Sequence, residues 1–341
     1  MKKRVYYLFI LVLFTNCETT KDDTTITDFG RVFVSSDTQS KIGIFNFSDL
    51  SNKTIVEYVT TSDAAEGIYY DKNRDIVYQA DREHNRINAY SRLSTNEAGS
   101  GILPSAISTS DFSNPRGLTS DNNIAIVAQD ASEDNGQQNG LFMYDISATE
   151  ITLRNQFTVN FPLWDIQLVG NTLYAVEDES DSLAIFNNFF GNTEGAITPD
   201  FKIKLDGVVR VHGLFYNLEN DLMIITDVGD VASGIEDGQL IVIEDFNLKT
   251  SVALQQVEKA IPNGEMIFIK GTNTLLQNPV DVIYHNAANR IIVAERSTNN
   301  GMFLSFEYPV QTDDTNEFNS SPLFSINYNG ISNLYLSLIH I

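Results

Sequence analysis

Residues 66–90 read EGIYYDKNRDIVYQADREHNRINAY and contain three short strand patterns separated by two polar turns. β-Branched and aromatic residues dominate the three runs, and the DKNR segment between the first two is rich in turn-forming residues. Three strands joined by such turns make an antiparallel meander. A meander of this size cannot bury both of its faces alone. The sequence therefore predicts neighbours of the same kind.

The same pattern returns four more times along the chain. The residues before the main apolar run of each first strand are Gly67, Gly117, Asp165, Gly213 and Asp281, which are 50, 48, 48 and 68 positions apart. Repeats of about 50 residues built from short strands are typical of a β-propeller. The fourth unit is longer, and its extra sequence predicts insertions at residues 233–238 and 257–274.

The two ends of the chain complete each other. Residues 31–47 (RVFVSSDTQSKIGIFNF) match the second and third strands of a unit, and residues 54–60 supply a fourth. The missing first strand matches residues 322–336, in an alignment that places Tyr335 at the position of His212. We therefore expect an all-β, six-bladed propeller over residues 30–335. Its N- and C-terminal strands share the closing blade, so the sheet edges that promote aggregation disappear.

The N-terminus, MKKRVYYLFILVLFTNC, has three basic residues before an apolar run that is too short to span a bilayer. It resembles a bacterial lipoprotein signal of the Bacteroidota type. This resemblance implies a signal peptide at residues 1–16, lipidation of Cys17 and a polar tether at residues 17–29. The Lys21-Asp22-Asp23 run resembles an export signal for the cell surface. We expect an outer-membrane lipoprotein, surface-exposed or alternatively periplasm-facing; the other interpretation of the N-terminus is a simple leader with an incidental cysteine.

The last six residues, 336–341 (LSLIHI), resemble a translated sequencing adapter. This resemblance predicts a non-native tail, in which His340 carries no functional meaning.

The chain is strongly acidic, with 45 Asp and Glu against 22 Lys and Arg and a formal net charge of −23. A protein of this charge repels phosphate backbones, so we expect no nucleic-acid partner. Cys17 is the only cysteine, and once it is lipidated no thiol remains for disulfides, thiol catalysis or metal ligation. The sequence contains no Gly-x-Ser-x-Gly, His-Glu-x-x-His or phosphate-loop motif.

The repeats resemble the NHL and related six-bladed propellers over residues 30–335. The matching features are the Pro115-Arg116-Gly117 opening, the looser Ala65-Glu66-Gly67 opening, and the strand end at residues 77–81 (VYQAD). The resemblance implies the architecture and says little about function, because propellers support many activities.

Two sets of residues recur at fixed places in the units. The first set closes the second strands, and its periodicity favours a structural role in turns over a metal ring. Its members are Asp81, Asp130, Glu177, Asp227 and Glu295, with Ser36-Asp37 in the composite blade. The second set begins the first strands, which line the channel of a propeller, and its residues differ from unit to unit. Its members are Glu66, Arg116, Trp164, His212, Val280 and Tyr335.

Variation at a channel-facing position is what a binding site requires. Glu66, Arg116 and His212 are candidates to bind a polar ligand, with Trp164 as a stacking face. Asp165 and Asp281 replace the glycines of other units, and either could bind Ca²⁺ together with Glu66. The alternative is that these side chains pair with one another and fill the channel.

These observations leave two functions open. The first is a lipid-anchored binding module for a protein, a glycan or a small ligand. The second is a calcium-dependent lactonase, because Glu66-Gly67 resembles the opening of the SMP-30/gluconolactonase propellers. That family holds its cation with a Glu, an Asn and an Asp. Only Glu66 carries over, since His212 stands at the position of the Asn and Asp281 is displaced by one residue.

Overall fold

A computed structural model describes residues 30–47, 51–230, 237–310 and 315–338 of the chain. The predicted signal peptide, Cys17, the tether and His340 lie outside these residues. No helix in the described part of the chain is long and apolar enough to cross a bilayer.

Six small sheets form the blades of a propeller, as the sequence predicts. The composite blade begins with β1 (Arg31–Ser36), β2 (Lys41–Asn46) and β3 (Ile55–Val59). Blade 1 contains β4 (Ala65–Asp71), β5 (Ile76–Asp81), β6 (Arg86–Ser91) and β7 (Ala106–Ile107). Blade 2 contains β8 (Pro115–Asp121), β9 (Ile124–Gln129), β10 (Asn139–Ile146), β11 (Ile151–Val159) and β15 (Gly195–Ala196).

Blade 3 contains β12 (Leu163–Val169), β13 (Thr172–Glu177), β14 (Ser182–Phe186), β16 (Phe201–Leu205) and β20 (Ala260–Ile261). Blade 4 contains β17 (Val211–Asn217), β18 (Leu222–Asp227), β19 (Gln239–Ile243), β21 (Ile267–Lys270) and β25 (Glu317–Phe318). Blade 5 contains β22 (Pro279–His285), β23 (Arg290–Glu295), β24 (Met302–Glu307) and β26 (Phe324–Asn327). The last strand, β27 (Ile331–Ser337), completes the composite blade.

Helical structure is confined to the connections. The helix α1 (Phe246–Ala253) lies between β19 and β21. Short 3-10 turns lie at Leu93–Thr95, Phe189–Gly191, Asn263–Glu265 and Thr298–Asn300. Strands β15, β20 and β25 lie between two strands of one blade along the chain, and each pairs in parallel with the outer strand of the preceding blade. These crossings cover three of the outer edges and tie neighbouring blades together.

The ring closes through antiparallel pairing of β27 with β1, in which Phe33 lies opposite Tyr335. The predicted sharing of the closing blade is thus confirmed. The register differs from the sequence alignment, because Ile331 lies opposite Ser36 as Val211 lies opposite Asp227. Ser332, and not Tyr335, therefore occupies the position of His212. The alignment matched Gly330 to Gly207, but three residues separate Gly207 from β17 whereas β27 begins directly after Gly330.

The core is divided among the blade interfaces. The described residues form six buried hydrophobic clusters, and each contains side chains from two adjacent blades. At the closing interface, for example, Phe33 of the composite blade stacks on Tyr70 of blade 1 with ring centroids 4.1 Å apart. Each blade thus buries its two apolar faces against its neighbours, as a stack of repeats requires.

A β-bulge near the start of each first strand positions the candidate site. Two consecutive residues of the inner strand there lie opposite one residue of the second strand. The pairs are Glu66-Gly67, Arg116-Gly117, Trp164-Asp165, His212-Gly213, Val280-Asp281 and Ser332-Asn333. We call the face that carries these bulges the upper face. The opposite face, where the inner strands end, is the lower face.

Candidate functional site

The first residue of each bulge and the residue after each second strand together form the mouth of the channel on the upper face. The inner positions are Glu66, Arg116, Trp164, His212, Val280 and Ser332. The outer positions are Arg82, Asp130, Asp178, Val228, Arg296 and Asp37. Most of these side chains are charged, and they face one another across short distances.

Glu66 is the centre of the charge network on one side of the mouth. Its Oε1 lies 2.7 Å from Nη1 of Arg82 and 3.4 Å from Nη1 of Arg116. Arg116 also approaches Asp130, with its Nη2 3.3 Å from Oδ2. Glu66 and Arg116 are largely buried, so removing one partner leaves a buried charge uncompensated.

The side chains of Arg116 and His212 both contact the indole ring of Trp164. The Arg116 guanidinium sits 4.0 Å from the centroid of the indole ring. The His212 imidazole stacks on the same indole with centroids 3.9 Å apart and planes inclined by 13°. Both groups lie at stacking distance from the indole, so they compete with a ligand for the ring that the sequence predicts as a stacking face.

His212 and Arg210 share the carboxylate of Asp178. Asp178 Oδ1 lies 3.2 Å from Nε2 of His212, and both of its oxygens accept hydrogen bonds from Arg210 at 2.8 and 3.0 Å. Burial opposes ionisation of Asp178, but these hydrogen bonds outweigh it and hold its pKa well below the usual range. Burial lowers the pKa of His212, so the imidazole is neutral at pH 7. Neither ring nitrogen of His212 has a partner with hydrogen-bond geometry among the described residues, so its contact with Asp178 is one of proximity.

The fourth arginine of the mouth, Arg296, forms an ion pair with Asp37. Burial raises the pKa of Asp37 to about 6; the negative charge of Glu66 adds to this effect and Arg296 opposes it. The mouth therefore contains four arginines and four acids (Glu66, Asp130, Asp178 and Asp37). Its charges balance, although the whole chain is strongly acidic.

A second layer lies just below the mouth, at the second residue of each bulge. Bulges leave backbone amides unpaired in the sheet, and three side chains accept most of them here. Asp165 accepts the amides of Ile166 and Leu214 at 2.9 and 3.1 Å. Asp281 accepts those of Val282 and Leu334 at 2.7 and 2.6 Å, and Asn333 accepts that of Ile68 at 3.1 Å. Each side chain thus connects its own blade to the next.

The remaining three positions in this layer are glycines, for reasons of space. A Cβ on Gly213 would lie 2.9 Å from the carbonyl oxygen of Val280 and closer still to the Cα of Asp281. Gly67 and Gly117 are packed as tightly against blades 2 and 3. Glycine is therefore required at bulges where the backbone of the next inner strand leaves no room for a Cβ atom.

Asp165 and Asp281 both line the channel cavity, and their carboxyl groups interact with each other. Burial is the main cause that raises both pKa values, and the neighbouring carboxylate adds to the rise for Asp281. Two buried carboxyls that interact in this way favour a protonated form, because ionising both is costly.

The proposed calcium ligands do not assemble as one group. Asp165 and Asp281 come together, but Glu66 lies in the mouth with Arg82 and Arg116 as partners. Among the described residues, no group of three or more His, Cys, Asp or Glu side chains is arranged to hold a metal ion. The carboxyl oxygens of both aspartates are already hydrogen-bonded to backbone amides, which compete with a cation.

The acids at the ends of the second strands have mixed roles. Asp81, Asp227 and Glu295 accept backbone amides of adjacent turns, as predicted. Strand pairing places Gln129, and not Asp130, at the corresponding position of blade 2. Asp130 lies one residue further on and belongs to the mouth.

The sequence interpretation missed Arg82, Asp178, Arg210, Arg296 and the role of Asp37. All except Arg210 directly follow a second strand, and Arg210 directly precedes β17. The available signal was the position one residue beyond the end of each second strand, where five of the six blades have Arg or Asp. This position can be recognised only once the bulge has fixed the register between the first and second strands of each blade.

Below the carboxyl pair the channel widens into a cavity of about 280 Å³ lined by all six inner strands. Tyr69 and Tyr335 lie on its lower side, with ring centroids 4.9 Å apart in an edge-to-face arrangement. The carboxyl pair forms its upper boundary. The mouth and this cavity are thus on opposite sides of the layer that contains Asp165 and Asp281.

No protein-family model and no curated protein matches the sequence. Solved structures match the fold. One is a chain of a nidogen/laminin complex, with a TM-score of 0.57 and 12% identity over 90% of this chain and 98% of that chain. Another is hydrazine synthase of Kuenenia stuttgartiensis, with a TM-score of 0.52 and 11% identity over 81% of this chain and 74% of that chain. At these identities the likeness concerns the six-bladed fold alone.

Proposed function

We propose that this protein is a lipid-anchored binding module that takes a neutral glycan at the mouth of the channel. The observation that carries the proposal is the concentration of arginines there. Four of the eleven arginines of a chain with net charge −23 gather at one mouth, and each is matched by an acid. A charge-balanced set of strong donors and acceptors suits sugar hydroxyls, since each hydroxyl both donates and accepts hydrogen bonds.

The mouth also retains unused hydrogen-bonding capacity. A guanidinium has five N–H donors, and the ion pair of Arg82 with Glu66 uses one of them. The side chains of Arg82, Arg210 and Arg296 are each about one-third exposed. An anionic ligand is less suited, because the acidic surface of the whole chain repels it.

The structural neighbours support binding only in general terms. One of them belongs to a complex of two proteins, and another is an enzyme. A protein partner at the mouth is therefore the other class of ligand for this fold. The geometry gives no support to a calcium-dependent lactonase, because Glu66 is separated from the aspartates by its own arginine partners.

Binding to an array of neutral oligosaccharides, followed by calorimetry of the best ligand, tests the proposal. We expect saturable binding that weakens about tenfold or more in Arg82→Gln, since hydrogen bonds from a charged donor contribute about 1.5–3 kcal/mol. Arg154→Gln is the matched control, because Arg154 pairs with Asp145 on an exposed outer strand. Equal losses in both variants, or no oligosaccharide bound, would refute a glycan site at the mouth.

A further inference from the structure

The long connection between β19 and β21 of blade 4 forms a surface outside the four-stranded blade pattern. In blade 2, residues 147–150 suffice to connect the third and fourth strands, whereas blade 4 uses residues 244–266. These residues include α1 and β20, and β20 is hydrogen-bonded to β16 of blade 3. The insertion is thus fixed to two blades at once, and it presents a rigid surface.

Helix α1 is apolar on two faces. Phe246, Thr250 and Ala253 are buried against the core between blades 3 and 4. Leu248 and Val252, one helical turn apart, are 63% and 51% exposed. Residues at this spacing share one side of a helix, so they form a single outward apolar stripe. The usual amphipathic helix has polar residues there.

This stripe borders a groove of about 520 Å³. Its floor includes Leu248, Val252, Ile261 and Pro262. Lys249 lies on the rim, but its Nζ donates a hydrogen bond to the carbonyl oxygen of Glu265 at 2.7 Å. The groove therefore has an apolar floor, and a hydrogen bond fixes the Lys249 side chain on its rim.

The rim of the groove is acidic. It contains Asp206, Asp245, Glu258 and Glu265, against the single cation of Lys249. An apolar floor inside a negative rim is complementary to a segment with apolar residues on one side and basic residues around them. The same rim disfavours anionic lipid surfaces, which attract basic segments and repel acidic ones.

We propose that the groove between α1 and β20 docks a basic amphipathic segment of a partner protein. The apolar side of the segment covers Leu248 and Val252, and its lysines or arginines meet the acidic rim. This surface is on the outer part of blades 3 and 4 and is independent of the ligand at the mouth. Both can therefore be occupied together.

The test uses a fluorescein-labelled synthetic peptide with leucines at helical spacing and lysines elsewhere, titrated with the full chain and followed by fluorescence anisotropy. We expect saturable binding that weakens at least tenfold in Leu248→Glu. This substitution adds a negative charge, so attraction by charge alone would instead strengthen binding. Leu103→Glu is the matched control, because Leu103 is 79% exposed in the connection before β7 of blade 1 and should leave the affinity unchanged.

Three results would overturn the proposal. The first is peptide binding that is unchanged or stronger in Leu248→Glu. The second is an equal loss in Leu103→Glu. The third is a dimer in size-exclusion chromatography that dissociates in Leu248→Glu, since a second copy of the chain would then be the occupant of the groove.

Discussion

Asp165, Asp281 and Asn333 occupy equivalent bulge positions, and all three accept backbone amides across a blade interface. The neutral side chain of Asn333 accepts the backbone amide of Ile68, so linking two blades in this way does not require a charge. The two aspartates differ from Asn333 in that their buried carboxyls have raised pKa values. Folding must therefore keep at least one of them protonated at a pH where a free aspartate would be ionised.

Replacing Asp281 by Asn should flatten the dependence of stability on pH. The folded-state pKa of the aspartates is raised above the usual 3.8, so the folded protein binds more protons than the unfolded chain at intermediate pH. Stability from these groups is then highest at low pH and falls as the pH rises from about 4 through the folded-state pKa. Urea unfolding at several values between about pH 5 and pH 8 measures the effect. Asp281→Asn should lose less stability over this range than the wild type does.

The reverse substitution provides the control for this prediction. Asn333→Asp adds a third carboxyl to the same layer and should steepen the loss of stability with pH. Parallel pH profiles for the wild type and Asp281→Asn would show that the carboxyl pair is not the source of the dependence.

At the scale of the element, the inner strand shows what the repeat pattern can and cannot predict. The positions that repeat in the sequence are the second residues of the bulges in all five full blades. Each of them comes directly before a run of buried apolar residues, which is why the pattern marks them. The pattern misplaced the closing strand by three residues, because the alignment matched Gly330 to Gly207, whereas β27 begins directly after Gly330 and three residues separate Gly207 from β17. The ion pairs of the mouth could not be predicted, because Arg210 and Asp178 meet across a blade interface that no local pattern encodes.

Gly213→Ala tests the close approach of neighbouring inner strands. The added methyl would meet backbone atoms of Val280 and Asp281, which cannot rotate away, so we expect a loss of about 1–3 kcal/mol or more in the free energy of unfolding. Gly101→Ala, where a Cβ meets nothing within 4 Å, should change stability by no more than about 0.5 kcal/mol. Chemical denaturation of both variants gives the comparison. Similar stabilities would mean that the inner strands have room to move apart.

At the scale of the whole molecule, the net charge and the local charge differ. The net charge of the chain is −23 and the groove beside α1 is negative, but the charges at the mouth balance. Composition predicts no partner with a phosphate backbone, because the net charge repels one. It could not reveal where the few basic residues gather, because that depends on the folding of six blades around one axis.

The proposed anchor makes a prediction at this scale. Cys17→Ala should abolish incorporation of an alkyne-labelled fatty acid and move the protein out of the membrane fraction of a bacterial host with lipoprotein processing. Asp22→Asn with Asp23→Asn should keep the label and reduce cleavage by protease added to intact cells, if those residues direct surface display. Labelling that persists in Cys17→Ala would rule out lipidation at this residue.

Gly30 and Leu338 lie side by side at the lower end of the composite blade. If Cys17 carries a lipid as proposed, the chain from it to Gly30 reaches at most about 45 Å and would hold the propeller by its lower face. The mouth would then point away from the bilayer. Any tension on the anchor enters through β1, which is hydrogen-bonded on both sides, to β27 and to β2. With the proposed anchor, two hydrogen-bonded ladders would share that load, so the pairing that closes the ring would also bear the force on the anchor.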